Sequence, residues 1–246
     1  MKLSIVTTLY KSEEYVVEFY ERASRAAQNL VGNDYEIIFV NDGSPDSSLD
    51  KAIHLTHEHD NIIIIDLSRN FGHHKAMMTG LEYSSGDHVF LIDSDLEEKP
   101  EWLSSFNEQM TKDSTDMVYG IQDHRKGGFI EKVTGAIFYK VFRLLTGVAQ
   151  PNNIVTARLM SRRYVNALIS HKERELNIGG LWIITGFIQS TQVVQKSSSS
   201  ETTYNFARKL SHLVNAITSF SSLPLVYTFT QGYCSVSLPL SLSSSY

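Results

Sequence analysis

Two aspartates, Asp93 and Asp95, stand one residue apart directly after an unbroken apolar run at residues 88–92. On a turn that leaves a strand, both carboxylates can face the same opening. Hard oxygen ligands at this spacing suit Mg²⁺ or Mn²⁺, which bind one or two carboxylates together with substrate phosphates. Glu97 and Glu98 add further acid to the same turn. Because short matches of this kind also arise by chance, the alternative is that Asp95 only caps a following helix.

A second cluster of polar residues follows the apolar run at residues 35–40. Residues 41–44 are Asn-Asp-Gly-Ser, a composition that favours a tight turn with exposed side chains. The carboxylate of Asp42 could accept a hydrogen bond from a base N–H or a ribose hydroxyl, although ordinary turn chemistry explains the same residues. Thr7, at the end of the first apolar run, is expected beside this turn.

The third cluster is Ser-Arg-Asn-Phe-Gly-His-His-Lys at residues 68–75. Arg69 and Lys75 flank a glycine at a predicted strand-to-helix turn, where cations and backbone N–H groups suit phosphate. Neighbouring histidines on a turn rarely share one metal ion. We therefore interpret His73 and His74 as solvated or locally hydrogen-bonded.

The elements that would position these clusters form an alternating β–α pattern. Continuous apolar runs are typical of strands buried on both faces, which predicts a doubly wound, mostly parallel α/β sheet covered by helices. Ligands bind at the carboxyl ends of the strands in such folds, where the three clusters fall. The predicted strands are residues 3–8, 35–40, 61–67, 88–92, 117–120, 155–160 and an edge strand at 192–196. The predicted helices are residues 13–30, 47–57, 75–84, 128–145, 162–170 and 204–219.

Composition excludes several classes of protein. The 246 residues are 42% hydrophobic and 20% charged, enough for a sizeable buried core and unlike a disordered chain. A net charge of −5 disfavours a general nucleic-acid binder, and the single Cys234 permits neither an internal disulfide nor a cysteine-based zinc site. The dinucleotide, P-loop and serine-hydrolase glycine motifs are missing from the sequence.

The ordered motifs carry a family resemblance. They are SIVTTLYKSEEYV, IIFVNDGSPDSS, RNFGHHKAMMTGLEYSSGD and FLIDSDLEEKPE. Over residues 3–225 the chain resembles inverting glycosyltransferases of family 2 with a GT-A fold. The likeness is to the branch of polyprenyl-phosphate mannosyl- and glucosyltransferases and bacterial surface-polysaccharide enzymes. It implies a catalytic domain at residues 1–200, followed by a C-terminal helix and an apolar, membrane-proximal tail at 201–246.

The resemblance also implies roles for individual residues. Asp93 and Asp95 would hold Mg²⁺ or Mn²⁺, with Glu97 close by. The donor side would comprise Thr7, Glu13, Asp42, Arg69, Lys75 and Ser94, and the acceptor side Arg158 and Trp182. Glu173 and Glu175 are the candidates for a general base. This chain departs from its relatives in having Thr156-Ala157 where many have Asp-Phe, and in keeping only Lys196 of the basic residues before residue 203.

These observations predict a metal-dependent inverting glycosyltransferase that moves a sugar from a nucleoside-diphosphate-sugar to a lipid phosphate or a surface glycan. The alternative is a catalytically weak nucleotide- or glycan-binding protein with the same fold. A sugar-1-phosphate nucleotidyltransferase would need a glycine-rich basic loop after the first strand, which residues 7–15 lack. The sugar, the nucleotide, the acceptor, the base and the oligomeric state stay open.

Residues 128–145 have the pattern of an interfacial helix. Apolar residues recur every four positions from Phe129 to Leu145, while Lys132 and Lys140 occupy other faces. A basic amphipathic segment within an acidic protein favours anionic lipid, although packing against the domain core explains the apolar stripe equally simply. The uncharged residues 223–242 approach spanning length but contain serines and Pro239. We therefore expect a cytoplasmic protein held peripherally at the inner face of the cytoplasmic membrane.

Sedimentation with liposomes checks this expectation. The protein should bind anionic vesicles at low salt, and the double variant Lys132→Glu/Lys140→Glu should bind them less because two positive charges attracted to anionic headgroups are reversed. Binding should weaken as salt rises. A wild-type protein that stays in the supernatant at low salt would contradict membrane attachment.

Overall fold

A seven-stranded sheet forms the centre of the described part of the chain, with the strand order β3-β2-β1-β4-β6-β5-β7. The first four strands run parallel to one another, whereas β6 runs antiparallel between β4 and β5. The edge strand β7 pairs in parallel with β5. The strands are β1 (Leu3–Leu9), β2 (Tyr35–Asn41), β3 (Ile62–Asp66), β4 (His88–Leu91), β5 (Met117–Gln122), β6 (Ile154–Ser161) and β7 (Gln189–Val194).

Helices cover the sheet, which explains its continuous apolar runs. Every residue of β1 and β2 is buried, as expected of central strands with helices on both faces. The helices are α1 (Val16–Val31), α2 (Ser48–Thr56), α3 (His73–Tyr83), α4 (Trp102–Asp113), α5 (Arg162–Ile169) and α6 (Ile178–Ile184).

The computed structural model describes residues 1–122, 153–171 and 178–197, together with residue 229. The chain divides into two compact units, residues 1–126 with 151–201 and residues 127–150 with 202–246. Every strand and helix named above belongs to the first unit. The predicted helices at 128–145 and 204–219 lie outside the described residues, and the predicted domain boundary at residue 200 stays a prediction.

The predicted fold class is confirmed, because the sheet is mostly parallel and flanked by helices. Most predicted strands and helices exist, with ends that shift by a few residues. The start of α1 moves from residue 13 to Val16, because residues 12–15 form a turn in which Tyr15 N–H donates to the Ser12 carbonyl. The sequence did not predict α6, and it invoked α4 only as the helix that Asp95 would cap in the alternative interpretation; the N-cap of α4 is Glu101. Among the described residues, no helix combines the length and apolar character needed to cross a bilayer.

The helix α3 approaches the sheet closely at Gly80. A Cβ atom at this position would lie 2.4 Å from Cγ1 of Val6 and 2.9 Å from Cγ2 of Val40, so the absence of a side chain sets the helix-to-sheet distance. This contact matters for the site because His73 at the start of α3 depends on where the helix lies.

The substitution Gly80→Ala tests this packing. Despite alanine's higher helix propensity, the added methyl group should destabilise the protein by about 1–3 kcal/mol through overpacking. Urea unfolding measures the change. The control Glu82→Ala, on an exposed position of the same helix, should stay within about 0.5 kcal/mol of wild type. Wild-type stability of Gly80→Ala would mean that α3 does not pack this closely.

Candidate functional site

Three polar turns meet at the carboxyl edge of the parallel strands. They follow β1, β2 and β4, and hydrogen bonds join each to its neighbours. The Lys11 N–H donates to the Ser44 hydroxyl at 2.7 Å, which joins the turns after β1 and β2. The Ser94 hydroxyl donates to the Thr8 carbonyl at 2.9 Å, which joins those after β1 and β4. The parallel topology therefore assembles the clusters that the sequence places far apart.

Asp42 ties the turn after β2 to the loop before α3. Its Oδ1 accepts the Phe71 N–H at 2.7 Å and its Oδ2 accepts the Gly72 N–H at 3.0 Å. The two backbones also touch, because a Cβ at Gly43 would lie 2.5 Å from the Asn70 nitrogen. Asp42 is buried, so in this structure both carboxylate oxygens serve the protein's own backbone.

The same loop presents the predicted phosphate-binding cations. Arg69 is exposed, and its guanidinium carbon lies 4.3 Å from the centre of the Phe71 ring, within cation–π range. Lys75 is half-buried in the first turn of α3. Asp42 thus fixes the loop that carries Arg69.

Asp46 organises the remainder of the turn after β2. Its carboxylate accepts hydrogen bonds from the hydroxyls of Ser44 and Ser48 and from the Glu13 N–H. Although burial opposes ionisation, these bonds lower the pKa of Asp46 to about 2. The Glu13 carboxylate in turn accepts the Ser47 N–H at 3.1 Å. Glu13 therefore links the turns after β1 and β2 through two hydrogen bonds, one from its N–H and one to its carboxylate.

Asp93 is a partly buried carboxylate of the acidic turn. His73 Nε2 lies 3.2 Å from Asp93 Oδ1, and His73 Nδ1 lies 3.0 Å from the Thr8 hydroxyl. Burial favours the protonated acid, but the contacts from His73 and a side-chain hydrogen bond from Thr156 outweigh it, so the pKa of Asp93 falls below its ordinary value. Asp93 is therefore ionised at neutral pH.

Asp95 shares the turn with Asp93. Its Oδ1 accepts the Glu97 N–H at 3.0 Å, which closes the turn. Burial and the neighbouring charge of Asp93 raise the pKa of Asp95. Between the two aspartates, Ser94 is buried and its hydroxyl is engaged by the Thr8 carbonyl. A donor-binding role for the Ser94 side chain stays a prediction.

Glu98 clamps the acidic turn to the far strands of the sheet. This fully buried carboxylate accepts the Thr156 N–H of β6 at 2.9 Å and lies 3.1 Å from Nζ of Lys196, just after β7. Burial and the charge of Asp93 raise the pKa of Glu98 to about 7, against the opposing effect of Lys196. Nζ of Lys196 also lies 3.7 Å from Oε2 of Glu97, so this ammonium group pairs with both glutamates.

Arg158 and Trp182 lie together inside the protein. The Arg158 guanidinium stacks over the Trp182 ring and donates to the carbonyls of Val155 and Thr156, each at 2.8 Å. Complete burial lowers the pKa of Arg158 to about 9. The residue therefore adds positive charge beneath the site, and contact with an acceptor stays a prediction for both side chains.

The residues present fit a divalent cation that shares its ligands with a substrate. In the described part of the chain, no three His, Cys, Asp or Glu side chains converge as a complete metal cage. Asp93 and Asp95 could supply two carboxylates, as Mg²⁺ and Mn²⁺ need when phosphates complete the shell. Oδ1 of Asp93 is buried and, although it faces His73, it accepts no well-aligned hydrogen bond. A buried carboxylate oxygen that lacks a well-aligned hydrogen-bond donor is suited to coordinating a cation.

The structure also shows functional candidates that sequence reasoning missed. His73, predicted only to be solvated or locally hydrogen-bonded, contacts Thr8 and Asp93, and Glu98 pairs with Lys196. These partners lie far apart along the chain, so no local pattern reveals them. Of the predicted residues, Thr7 is buried with a hydroxyl that lacks a partner among the described residues, whereas Glu173 and Glu175 lie outside them.

Comparisons with known proteins agree with this architecture. The family described as Glycosyl transferase family 2 matches residues 4–169. A Mycobacterium tuberculosis protein described among glycosyltransferases is 50% identical, over 94% of this chain and 68% of its own length. The bactoprenol glucosyl transferase of Shigella phage SfV is 29% identical, over 93% of this chain and 75% of its own.

A solved structure shares the fold. The mannosyltransferase of Pyrobaculum calidifontis, solved with GDP-Man and Mn²⁺, superposes with a TM-score of 0.61 over 87% of this chain and 62% of its own. Its sequence is 13% identical, so this likeness concerns the fold alone.

Asp42→Ala should release the loop before α3. Removing the carboxylate leaves the N–H groups of Phe71 and Gly72 without their acceptors, which should cost about 1–3 kcal/mol of stability. Amide hydrogen exchange should speed up at both residues. Asp42→Asn, which keeps one acceptor oxygen, should deprotect chiefly one amide, and the exposed control Asp60→Ala should change neither. Unaltered protection in Asp42→Ala would refute this account of the loop.

Proposed function

The chain belongs to glycosyltransferase family 2, and from this premise we propose that it is a metal-dependent, inverting enzyme. It would transfer a sugar from a nucleoside-diphosphate-sugar to a lipid phosphate or a surface-glycan acceptor. The observation that carries the proposal is the pair Asp93 and Asp95 at the carboxyl end of β4, with Oδ1 of Asp93 buried and poorly hydrogen-bonded.

The charge of the acidic turn supports a cation. The turn gathers four carboxylates between residues 93 and 98, and burial with mutual repulsion raises the pKa values of Asp95 and Glu98. A divalent ion held by Asp93 and Asp95 would relieve this repulsion. When bound, such an ion neutralises the charge that develops on a leaving diphosphate. Since two carboxylates leave most of its coordination shell open, phosphate oxygens of the donor would complete it.

The donor side follows from the neighbouring turns. Thr7, Glu13 and the turn containing Asp42 would surround the nucleoside, and the loop that Asp42 fixes would bring Arg69 and Lys75 to the phosphates. Because Asp42 already accepts two backbone N–H groups, its part in donor binding includes holding this loop. The solved mannosyltransferase with GDP-Man and Mn²⁺ supports a nucleotide-sugar with a metal as the donor complex.

The acceptor is proposed from the relatives. The likeness to a bactoprenol glucosyl transferase supports a lipid phosphate as acceptor, and peripheral membrane attachment would bring the enzyme to it. In an inverting transfer, an acceptor oxygen attacks the anomeric carbon opposite the bond to diphosphate. A phosphate acceptor is already ionised and needs no general base, whereas a glycan hydroxyl does. For the hydroxyl case, Glu173 and Glu175 stay the candidates.

Release of nucleoside diphosphate tests the proposal. Wild-type protein, given a UDP-, GDP- or dTDP-sugar and a polyprenyl phosphate, should release the nucleoside diphosphate when Mn²⁺ is present. It should lose this activity when a chelator removes the metal. Asp93→Asn or Asp95→Asn should lower turnover 100-fold or more, about the loss expected when a metal ligand is removed. Thermal unfolding should confirm that both variants fold.

The control Asp60→Asn removes an exposed carboxylate outside the acidic turn and should keep full turnover. Near wild-type turnover in Asp93→Asn or Asp95→Asn would eliminate the proposed metal role. A protein that binds nucleotide-sugar in a thermal-shift assay but releases no diphosphate under any of these conditions would instead be the catalytically weak binding protein.

A further inference from the structure

We infer that His73 is a positioning residue that holds the Asp93 carboxylate in the orientation in which it receives the divalent cation. The inference rests on the proposed function, because it concerns the same metal site, and it gives a role to a histidine that the sequence predicted to be solvated or locally hydrogen-bonded.

Both nitrogens of the His73 ring lie beside a polar group of the site, although the contact with Asp93 is not a well-aligned hydrogen bond. Nε2 lies 3.2 Å from Asp93 Oδ1, and Nδ1 lies 3.0 Å from the hydroxyl of Thr8. Because a carboxylate can only accept, the tautomer with the hydrogen on Nε2 is the one that attracts Asp93 across this contact. In the neutral ring, Nδ1 then accepts from the Thr8 hydroxyl, so Thr8 selects the tautomer that faces Asp93. A chain of three side chains from β1 to β4 results.

The backbone that carries His73 is also held in place. The residue begins α3 directly after Gly72, whose N–H donates to Asp42 at 3.0 Å. The Gly72 carbonyl accepts from the N–H groups of Lys75 and Ala76, at 2.9 and 3.1 Å. The ring therefore projects from a position that is anchored on both sides.

Asp93 needs such a partner because its other neighbours repel it. Asp93 shares a short turn with Asp95 and with the fully buried Glu98, so like charges lie on its own side of the site. Hydrogen bonds to ligand carboxylates orient them, and their loss typically costs about 10–100-fold in metal affinity or activity. His73 is the side chain whose contact with Asp93 would provide this orientation.

Two substitutions at one position separate positioning from simple packing. In His73→Gln the terminal amide nitrogen can reach the place of Nε2 and donate to Asp93. In His73→Asn the shorter amide reaches only the place of Nδ1, near Thr8. We expect His73→Asn to weaken Mn²⁺ binding about 10–100-fold, whereas His73→Gln keeps most of the affinity.

The measurement is titration of Mn²⁺ in the presence of UDP, repeated with GDP, followed by the electron paramagnetic resonance signal of the free ion. The control His54→Asn removes an exposed histidine near the end of α2 and should bind Mn²⁺ as wild type does. Equal affinity of His73→Asn and wild type, or equal losses in His73→Asn and His73→Gln, would overturn the inference.

Failure of this inference differs from failure of the proposed function. Suppose that wild type and His73→Gln bind Mn²⁺ more tightly than His73→Asn, but that no donor yields a free nucleoside diphosphate. The inference then stands and the enzymatic proposal falls. If wild type turns over and His73→Asn binds Mn²⁺ normally, only the inference falls. A wild type that binds no Mn²⁺ overturns both the metal site and the inference.

Should His73→Asn fail to fold, Thr8→Val provides the second test. Valine keeps the shape of Thr8 but removes the hydroxyl that orients the ring, so Mn²⁺ affinity should fall while His73 is still present. Unchanged affinity in a folded Thr8→Val protein would contradict the proposed chain of contacts.

Discussion

Negative charge buried at the carboxyl end of β4 is the constraint on which this site depends. Four carboxylates lie between residues 93 and 98, where they repel one another and lose much of their hydration. Separate parts of the fold provide the compensating charges and donors: His73 from α3, Lys196 after β7 and the buried Arg158 of β6. The acidic turn therefore holds its shape only when the strands on its far side are in place.

The antiparallel strand β6 is central to this arrangement. It enters the sheet between β4 and β5 and so brings the Thr156 N–H within 2.9 Å of Glu98. The neutral Thr156 side chain also helps to lower the pKa of Asp93. One strand thus supports two acidic residues of the turn, which links the second half of the sheet to the chemistry of the first.

The donor side is organised on a different physical basis. There, Asp42 and Asp46 accept backbone N–H groups and hydroxyls, which fixes the loops before any ligand arrives. A loop that is already ordered loses less conformational freedom on binding, so more of the contact energy remains available for affinity. The two sides of the site therefore differ. On the donor side, carboxylates accept hydrogen bonds from the protein's own backbone, whereas in the acidic turn the carboxylates are suited to binding a cation.

The sequence by itself determined the class of fold, the three polar clusters at residues 41–44, 68–75 and 93–98, and the family. Unbroken apolar runs require burial on both faces, and strand alternation with helices places Asp42 and Asp93 at one edge of a parallel sheet. It did not determine what those side chains contact. The pairs Thr8–His73 and Glu98–Lys196 join residues far apart in the chain, and the insertion of β6 buries Arg158. Such contacts depend on strand order and helix placement, which only the tertiary structure decides.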